Sequence, residues 1–276
     1  MILNDIFSML SYDFVIKALL VGVCISLCSS LLGVNMVLKN KAMIGDGLSH
    51  VAFGACAIAA CLNWAPLLVS IPVVIIAAFV ILKLSEKSKI HGDSLIALFA
   101  SSSLAIGYIV IKLGGLNKDL DSYLYGNIYM ISTTELILTL VLTVVVVASF
   151  IIFYNRIFSI TFDEDFSKSS GIKTELYNVI ISVLCAFTVV IGMKVMGTLL
   201  ITSLIVFPVL SARQIFKTYK HVVIASAVIS VLCFIIGIFT NLALDLPVGA
   251  TIVIINLIVF IILLITGIIR KRIRVV

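Results

Sequence analysis

Two carboxylates stand at the edges of long apolar stretches, each with a polar partner four residues away: Asp46 with His50, and Asp245 with Asn241. On a helix, a spacing of four puts both side chains on one face, ~6 Å apart along the axis. Carboxylate oxygen plus imidazole nitrogen is a good ligand pair for a first-row divalent metal ion, and Asn241 with Asp245 offers two oxygens to the same chemistry. Each pair also has a plainer explanation. Asp46, in Gly45-Asp46-Gly47-Leu48-Ser49-His50, can cap a helix start while His50 packs at an interface. Asp245-Leu246-Pro247-Val248-Gly249 reads as a turn. Location is what sets these residues apart. A carboxylate drawn into a bilayer costs roughly 2.5–3.5 kcal/mol or more, so one kept there faces a wet cavity or an ion.

The elements that must position these residues are apolar. Eight runs of 18 to 36 residues carry no Asp, Glu, Lys or Arg: 18–38, 47–82, 94–111, 136–155, 176–193, 195–212, 222–244 and 246–269. Across 276 residues the chain is 62% apolar and 12% charged, with a mean hydropathy of +1.31. Soluble domains carry roughly 25% charged residues, so a water-soluble globule is excluded. The 36-residue run exceeds one span and contains Asn63-Trp64-Ala65-Pro66, a turn signal with an interfacial aromatic, so it splits into a helical hairpin. The expected fold is all-α: one polytopic transmembrane helical bundle over 1–276 with eight to nine membrane segments. The stretch 197–212 is the least secure of them, being short and interrupted by Pro208.

Basic residues set the orientation. With the amino terminus outside, the segments 39–46, 83–92, 155–175, 213–221 and 270–276 are cytoplasmic and hold 15 of the 19 Lys and Arg; Lys17, Lys112, Lys118 and Lys194 fall elsewhere. The net charge of +6 thus reads as membrane topology rather than as a nucleic-acid surface. Lys194 is expected to snorkel, and His91 and His221 to be solvated. Ser101-Ser102-Ser103 either line a polar path or let helices approach closely. The six cysteines all lie in apolar runs and read as packing residues rather than as a disulfide framework. Residues 1–13 carry Asp5 and Asp13 without Lys or Arg, against a cleavable leader. Between the spans, 112–135 reads as an ordered outer cap. The cytoplasmic loop 155–175, with Asp163, Glu164 and Asp165 leading toward Gly171, reads as a single surface helix.

One tension remains open at this level. The topology puts Asp46 at the cytoplasmic end of its span and Asp245 at the outer end of another. Either the helix around 39–50 begins deeper in the bilayer, or the two pairs act at different depths of one pathway. No G-x-x-x-x-G-K-[ST], H-E-x-x-H or G-x-S-x-G motif occurs. Any ATPase is therefore a separate chain, and the alternative is a secondary, proton-coupled divalent cation transporter.

Several motifs follow in order along nearly the whole chain. They are Gly45-Asp46-Gly47-Leu48-Ser49-His50 with Val51-Ala52-Phe53-Gly54, then Asp121-Ser122-Tyr123-Leu124-Tyr125-Gly126, then Thr161-Phe162-Asp163-Glu164-Asp165-Phe166 leading to Gly171-Ile172. Met193 to Leu204 with Pro208 and Ala212-Arg213 come next, and Asp245-Leu246-Pro247-Val248-Gly249 last. The set resembles the permease subunits of bacterial zinc, manganese and iron ABC importers. That resemblance implies a type II-like importer permease in the bacterial plasma (inner) membrane, a homodimer on two cytoplasmic ABC ATPase subunits, fed by an extracytoplasmic metal-binding protein. It also implies a metal pathway with Asp46 and His50, to which Asn241 and Asp245 correspond. Asp163, Glu164, Asp165, Phe166 and Gly171 would form the element that docks on the ATPase. No permanently bound cofactor is implied: Zn²⁺ or Mn²⁺, less readily Fe, is cargo, and ATP belongs to the partner. Some zinc-type members carry a His near where this chain has Ala100-Ser101, so the choice of metal stays open.

Overall fold

A computed structural model describes residues 12–87, 92–114, 126, 128–244 and 246–273, with 85–87 and 271–273 as backbone only. His91, Lys118, Asp245 and the motif positions 121–125 lie outside these residues.

The described residues form eleven helices and no strand. They are α1 (Asp13–Leu38), α2 (Ile44–Cys61), α3 (Pro66–Lys87), α4 (Gly92–Leu113), α5 (Thr133–Ile152), α6 (Tyr154–Phe162), α7 (Glu164–Ser169), α8 (Thr174–Met196), α9 (Thr198–Ile215), α10 (Tyr219–Leu244) and α11 (Val248–Ile273). Nine of them, all but α6 and α7, are long and apolar enough to cross a membrane. The stretch around 197–212 is one continuous helix, α9, with Pro208 inside it. Its 18 residues span about 27 Å, close to the ~30 Å of a bilayer's hydrocarbon core.

Local chemistry sets the breaks. At the end of α2, Asn63 takes φ 55°, the Asn63 N–H bonds Ala60 O at 3.3 Å and the Trp64 N–H bonds Ala59 O at 2.8 Å. This paired left-handed closure satisfies the last carbonyls, and Pro66 then opens α3, where a missing N–H costs nothing. The end of α1 repeats the device, with Asn40 at φ 56° and Lys41 N–H on Met36 O at 2.8 Å. Between α8 and α9 stands Gly197 at φ 85°, ψ 161°, a conformation that a residue with a Cβ does not adopt readily.

The contacts sort into two faces. On one, Asn35 bonds Thr161, Lys39 pairs with Glu164, and Tyr154 and Phe158 pack on Tyr219. On the other, Phe14 meets Tyr129, Tyr129 bonds Asn241 and Lys194 pairs with Glu135. This is the grouping that the distribution of Lys and Arg requires, and the basic face is the cytoplasmic one by that rule. Helices α1, α2 and α8 are the most buried spans, and α11 is the least. α2 packs against α3, α4, α8 and α9.

The loop 155–175 contains two short helices rather than one. Tyr154–Phe162 continues from α5 after a single residue, Phe153. Asp163 then breaks the helix and caps the next, its carboxylate accepting from the Phe166 N–H at 2.8 Å. Gly171 closes α7 at φ 81°, with its N–H on Lys168 O at 3.0 Å and the Ile172 N–H on Ser167 O at 3.0 Å.

Candidate functional site

Asp46 and His50 lie in the first two turns of α2, with His50 Nε2 3.7 Å from Asp46 Oδ1. The cap explanation for Asp46 is not what the structure holds: Met43 occupies the cap position and no side chain caps the helix. The pair is also deeper than hydropathy places it. A Cβ on Gly45 would stand 2.7 Å from Ile205 Cδ1, and one on Gly33 would stand 2.2 Å from the Ile205 carbonyl oxygen. Ile205 lies near the middle of α9, about 15 Å along the axis from that helix's cytoplasmic end. The first turn of α2 is therefore level with mid-α9 on one side, while on the other Gly47 meets Ile96, about 6 Å from the start of α4. Glycines at 33 and 45 let the backbones approach closely enough for this, as small residues do between membrane helices.

The azimuth follows from the same contacts. Gly45 faces Ile205 on α9, and a Cβ on Gly47 would stand 2.5 Å from Ile96 on α4. Asp46 projects between them, and His50 follows it on the same face. Their side chains keep 41% and 19% of their surface respectively. His50 Nδ1 is buried with no hydrogen-bond partner. A buried nitrogen left unpaired costs free energy; the nitrogen beside the Asp46 carboxylate is the other one, Nε2. A divalent ion ~2.1 Å from Asp46 Oδ1 and His50 Nε2 would make an angle of roughly 120° with them, nearer the tetrahedral geometry of Zn²⁺ than the octahedral one of Mn²⁺. Two ligands do not complete a site, and among the described residues no group of three or more His, Cys, Asp or Glu converges.

Asn241, in the last turn of α10, is buried. Its side-chain oxygen accepts from the Tyr129 hydroxyl and its amide donates to the Leu246 carbonyl. Asn241 thus ties the end of α10 to Tyr129 and to Leu246; position 245 lies outside the described residues. Of the serines on α4, Ser103 presents its carbonyl to Gly54, where a Cβ would come within 2.7 Å, whereas Ser101 and Ser102 bond back to Ala97 O and Leu98 O of their own helix.

At the cytoplasmic surface, Phe166 on α7 is 64% exposed. Glu164 Oε2 lies 3.1 Å from Lys39 Nζ, and its other oxygen accepts from Asn178 Nδ2 at 2.8 Å. Burial alone would raise the Glu164 pKa, but the Lys39 charge and the hydrogen bonds of Lys39 and Asn178 outweigh it and hold the carboxyl below its ordinary value. Sequence reasoning missed this tie because its members are 125 and 139 residues from Lys39. It also assigned Lys194 to snorkelling, whereas Lys194 pairs with the buried Glu135. The Ser132–Glu135 half of that cluster is a capping box, legible as S-x-x-E before an apolar run.

The sequence profile of the ABC 3 transport family matches residues 11–267. The chain is 29% identical over 251 residues to the high-affinity zinc uptake system membrane protein ZnuB of Haemophilus influenzae, covering 91% of this chain and 96% of that protein. It is 22% identical over 252 residues to the manganese transport system membrane protein MntC of Listeria monocytogenes, covering 91% and 90%. Among solved structures, PsaBC from Streptococcus pneumoniae in complex with Fab superimposes with a TM-score of 0.85 at 24% identity, over 95% of each chain, a likeness of fold. With a family match across nearly its full length and, among the described residues, nine helices able to span a bilayer, the chain belongs to the ABC 3 transport family as a multi-pass membrane protein.

Proposed function

We propose that this chain is the permease subunit of an ATP-driven importer of divalent transition metal ions, zinc or manganese, and that Asp46 and His50 form a transient ligand pair on the ion's route. The observation that carries this reading is the pair itself, with Asp46 Oδ1 and His50 Nε2 3.7 Å apart on one helix face. Relatives named for zinc uptake and manganese transport support the class of cargo. Affinity alone favours zinc over manganese at a mixed O/N site, and two protein ligands leave the ion free to depart.

The remaining ligands come from water or from a second copy of the chain set against the exposed side of Asp46. In the last case a two-fold axis would present two carboxylates and two imidazoles to one ion. A separate ATPase engages the surface around Asp163, Glu164, Asp165, Phe166 and Gly171, and an extracytoplasmic metal-binding protein delivers the ion. Nothing in the chain favours proton-coupled secondary transport over this reading.

The test is uptake of radioactive zinc and manganese in cells dependent on this protein. Asp46→Ala and His50→Ala should each abolish uptake at unchanged membrane abundance. Wild-type uptake by both variants would refute the site.

A further inference from the structure

We propose that Lys39 is a positioning residue that ties the cytoplasmic surface helix α7 to the turn from which Asp46 and His50 are presented; this rests on the reading of that pair as the ion's ligands. α7 has little apolar hold on the bundle, Ser167 being its single buried residue. Polar bonds fix it instead. Lys39 Nζ reaches Glu164 Oε2 at 3.1 Å and Asn178 Oδ1 at 2.9 Å, and Asn178 Nδ2 closes the triangle on Glu164 Oε1 at 2.8 Å. One turn earlier, Asn35 Nδ2 bonds Thr161 Oγ1 at 2.6 Å. Lys39 is only 10% exposed and caps the carboxyl end of α1, where a cation is favoured by the helix dipole. A low-dielectric setting strengthens such a closed triangle and makes each broken member costly.

From Lys39 the chain runs without slack to Asp46. Lys41 N–H is bonded to Met36 O at 2.8 Å, Ile44 N–H to Lys41 O at 3.1 Å and Gly47 N–H to Met43 O at 3.0 Å. Displacement of α7 therefore pulls on the Lys39 ammonium, and the bonded turn passes the pull to the first turn of α2 rather than absorbing it. Coupling of this kind needs an element whose position both ends bias. The triangle supplies it by joining α7 to the end of α1 and to α8.

Two measurements on the intact permease–ATPase complex test the tie. In liposomes, zinc or manganese ions moved per ATP hydrolysed should fall at least five-fold in Lys39→Met and in Asn178→Leu, with ATP turnover changing less than two-fold. Lys39→Arg should stay within two-fold of wild type, and the exchange Lys39→Glu with Glu164→Lys should recover at least half of the loss. Single variants with a wild-type ratio, or losses that the exchange leaves unrepaired, overturn the proposal. Hydrogen exchange supplies a readout independent of cargo. Lys39→Met should speed exchange both at 164–171 and at 44–50; acceleration confined to 164–171 overturns the tie while the function stands. A wild-type complex that moves neither metal, with exchange at the two segments still rising together, sinks the function and leaves the tie.

Discussion

Seating of the ligand-bearing turn against the middle of α9 can be tested by filling two glycines that touch the same residue in different ways. An added Cβ at Gly33 meets the Ile205 carbonyl oxygen at 2.2 Å, with the next two atoms also backbone; at Gly45 it meets only the Ile205 Cδ1 methyl closely, at 2.7 Å. Ordinary C···O contact begins near 3.3 Å, so Gly33→Ala forces a separation of about 1 Å between α1 and α9. Overpacking typically costs ~1–3 kcal/mol, and the helix preference of Ala over Gly returns up to ~1 kcal/mol. With rigid backbone as the obstacle, Gly33→Ala should lose about 2 kcal/mol. At ~2–4 °C per kcal/mol, that is a fall of roughly 4–8 °C in apparent Tm. Gly45→Ala should lose less, and it should be rescued by Ile205→Val, which removes Cδ1. Ile205→Val alone costs ~0.5–1.5 kcal/mol, so the rescue reads as a coupling of about 1–2 kcal/mol in a double-mutant cycle. Ile205→Val cannot rescue Gly33→Ala, because the carbonyl remains. The assay is thermal unfolding of the purified complex in detergent, followed by fluorescence-detected size exclusion. Rescue of both glycine variants by Ile205→Val, or a Gly33→Ala protein more stable than wild type, would show that Asp46 is not carried at mid-α9.

Other outcomes follow from the polar clamps. Lys194→Met leaves the Glu135 carboxylate buried without its cation and should cost ~3 kcal/mol; adding Glu135→Gln should recover much of it, read as Tm, and no recovery would remove the ion pair as the cause. Asn241→Ala removes the bonds to the Tyr129 hydroxyl and the Leu246 carbonyl, so protease or hydrogen-exchange access at 246–249 should rise, and unchanged protection would show the clasp to be dispensable. The Glu164 pKa is held down in the folded protein, so its contribution is present above the ordinary Glu value of ~4.3 and fades as pH falls through the lower folded value. Exchange at 164–171 should therefore accelerate as the medium is acidified below that range, and Glu164→Gln should flatten the step. Because Glu164 keeps 27% of its side-chain surface exposed, the effect should be smaller than that of a fully buried pair.

Most of the bundle was legible in the sequence. Eight charge-free runs, one of them split at Asn63-Trp64-Ala65-Pro66, correspond to the nine spanning helices, and the spread of Lys and Arg sorted the loops into the two faces that the contacts join. The Asp46–His50 pairing was legible too, since a spacing of four on a helix guarantees proximity. Three features were not. The depth of Asp46 depends on Gly33, Gly45 and Ile205 meeting across three helices. The role of Lys194 depends on Glu135, which lies on another helix. The hold on α7 depends on Lys39, whose partners are more than a hundred residues away.

Spans, caps and turns were fixed by the sequence because each is decided within a few residues, by transfer of apolar side chains out of water and by the backbone habits of Asn, Gly and Pro. Tertiary structure alone decided how far α2 starts inside the bundle, which carboxylates find cations and which imidazole nitrogen is left without a partner. Those are outcomes of helix against helix, where one methyl or one glycine shifts a backbone by an ångström and no local pattern records it.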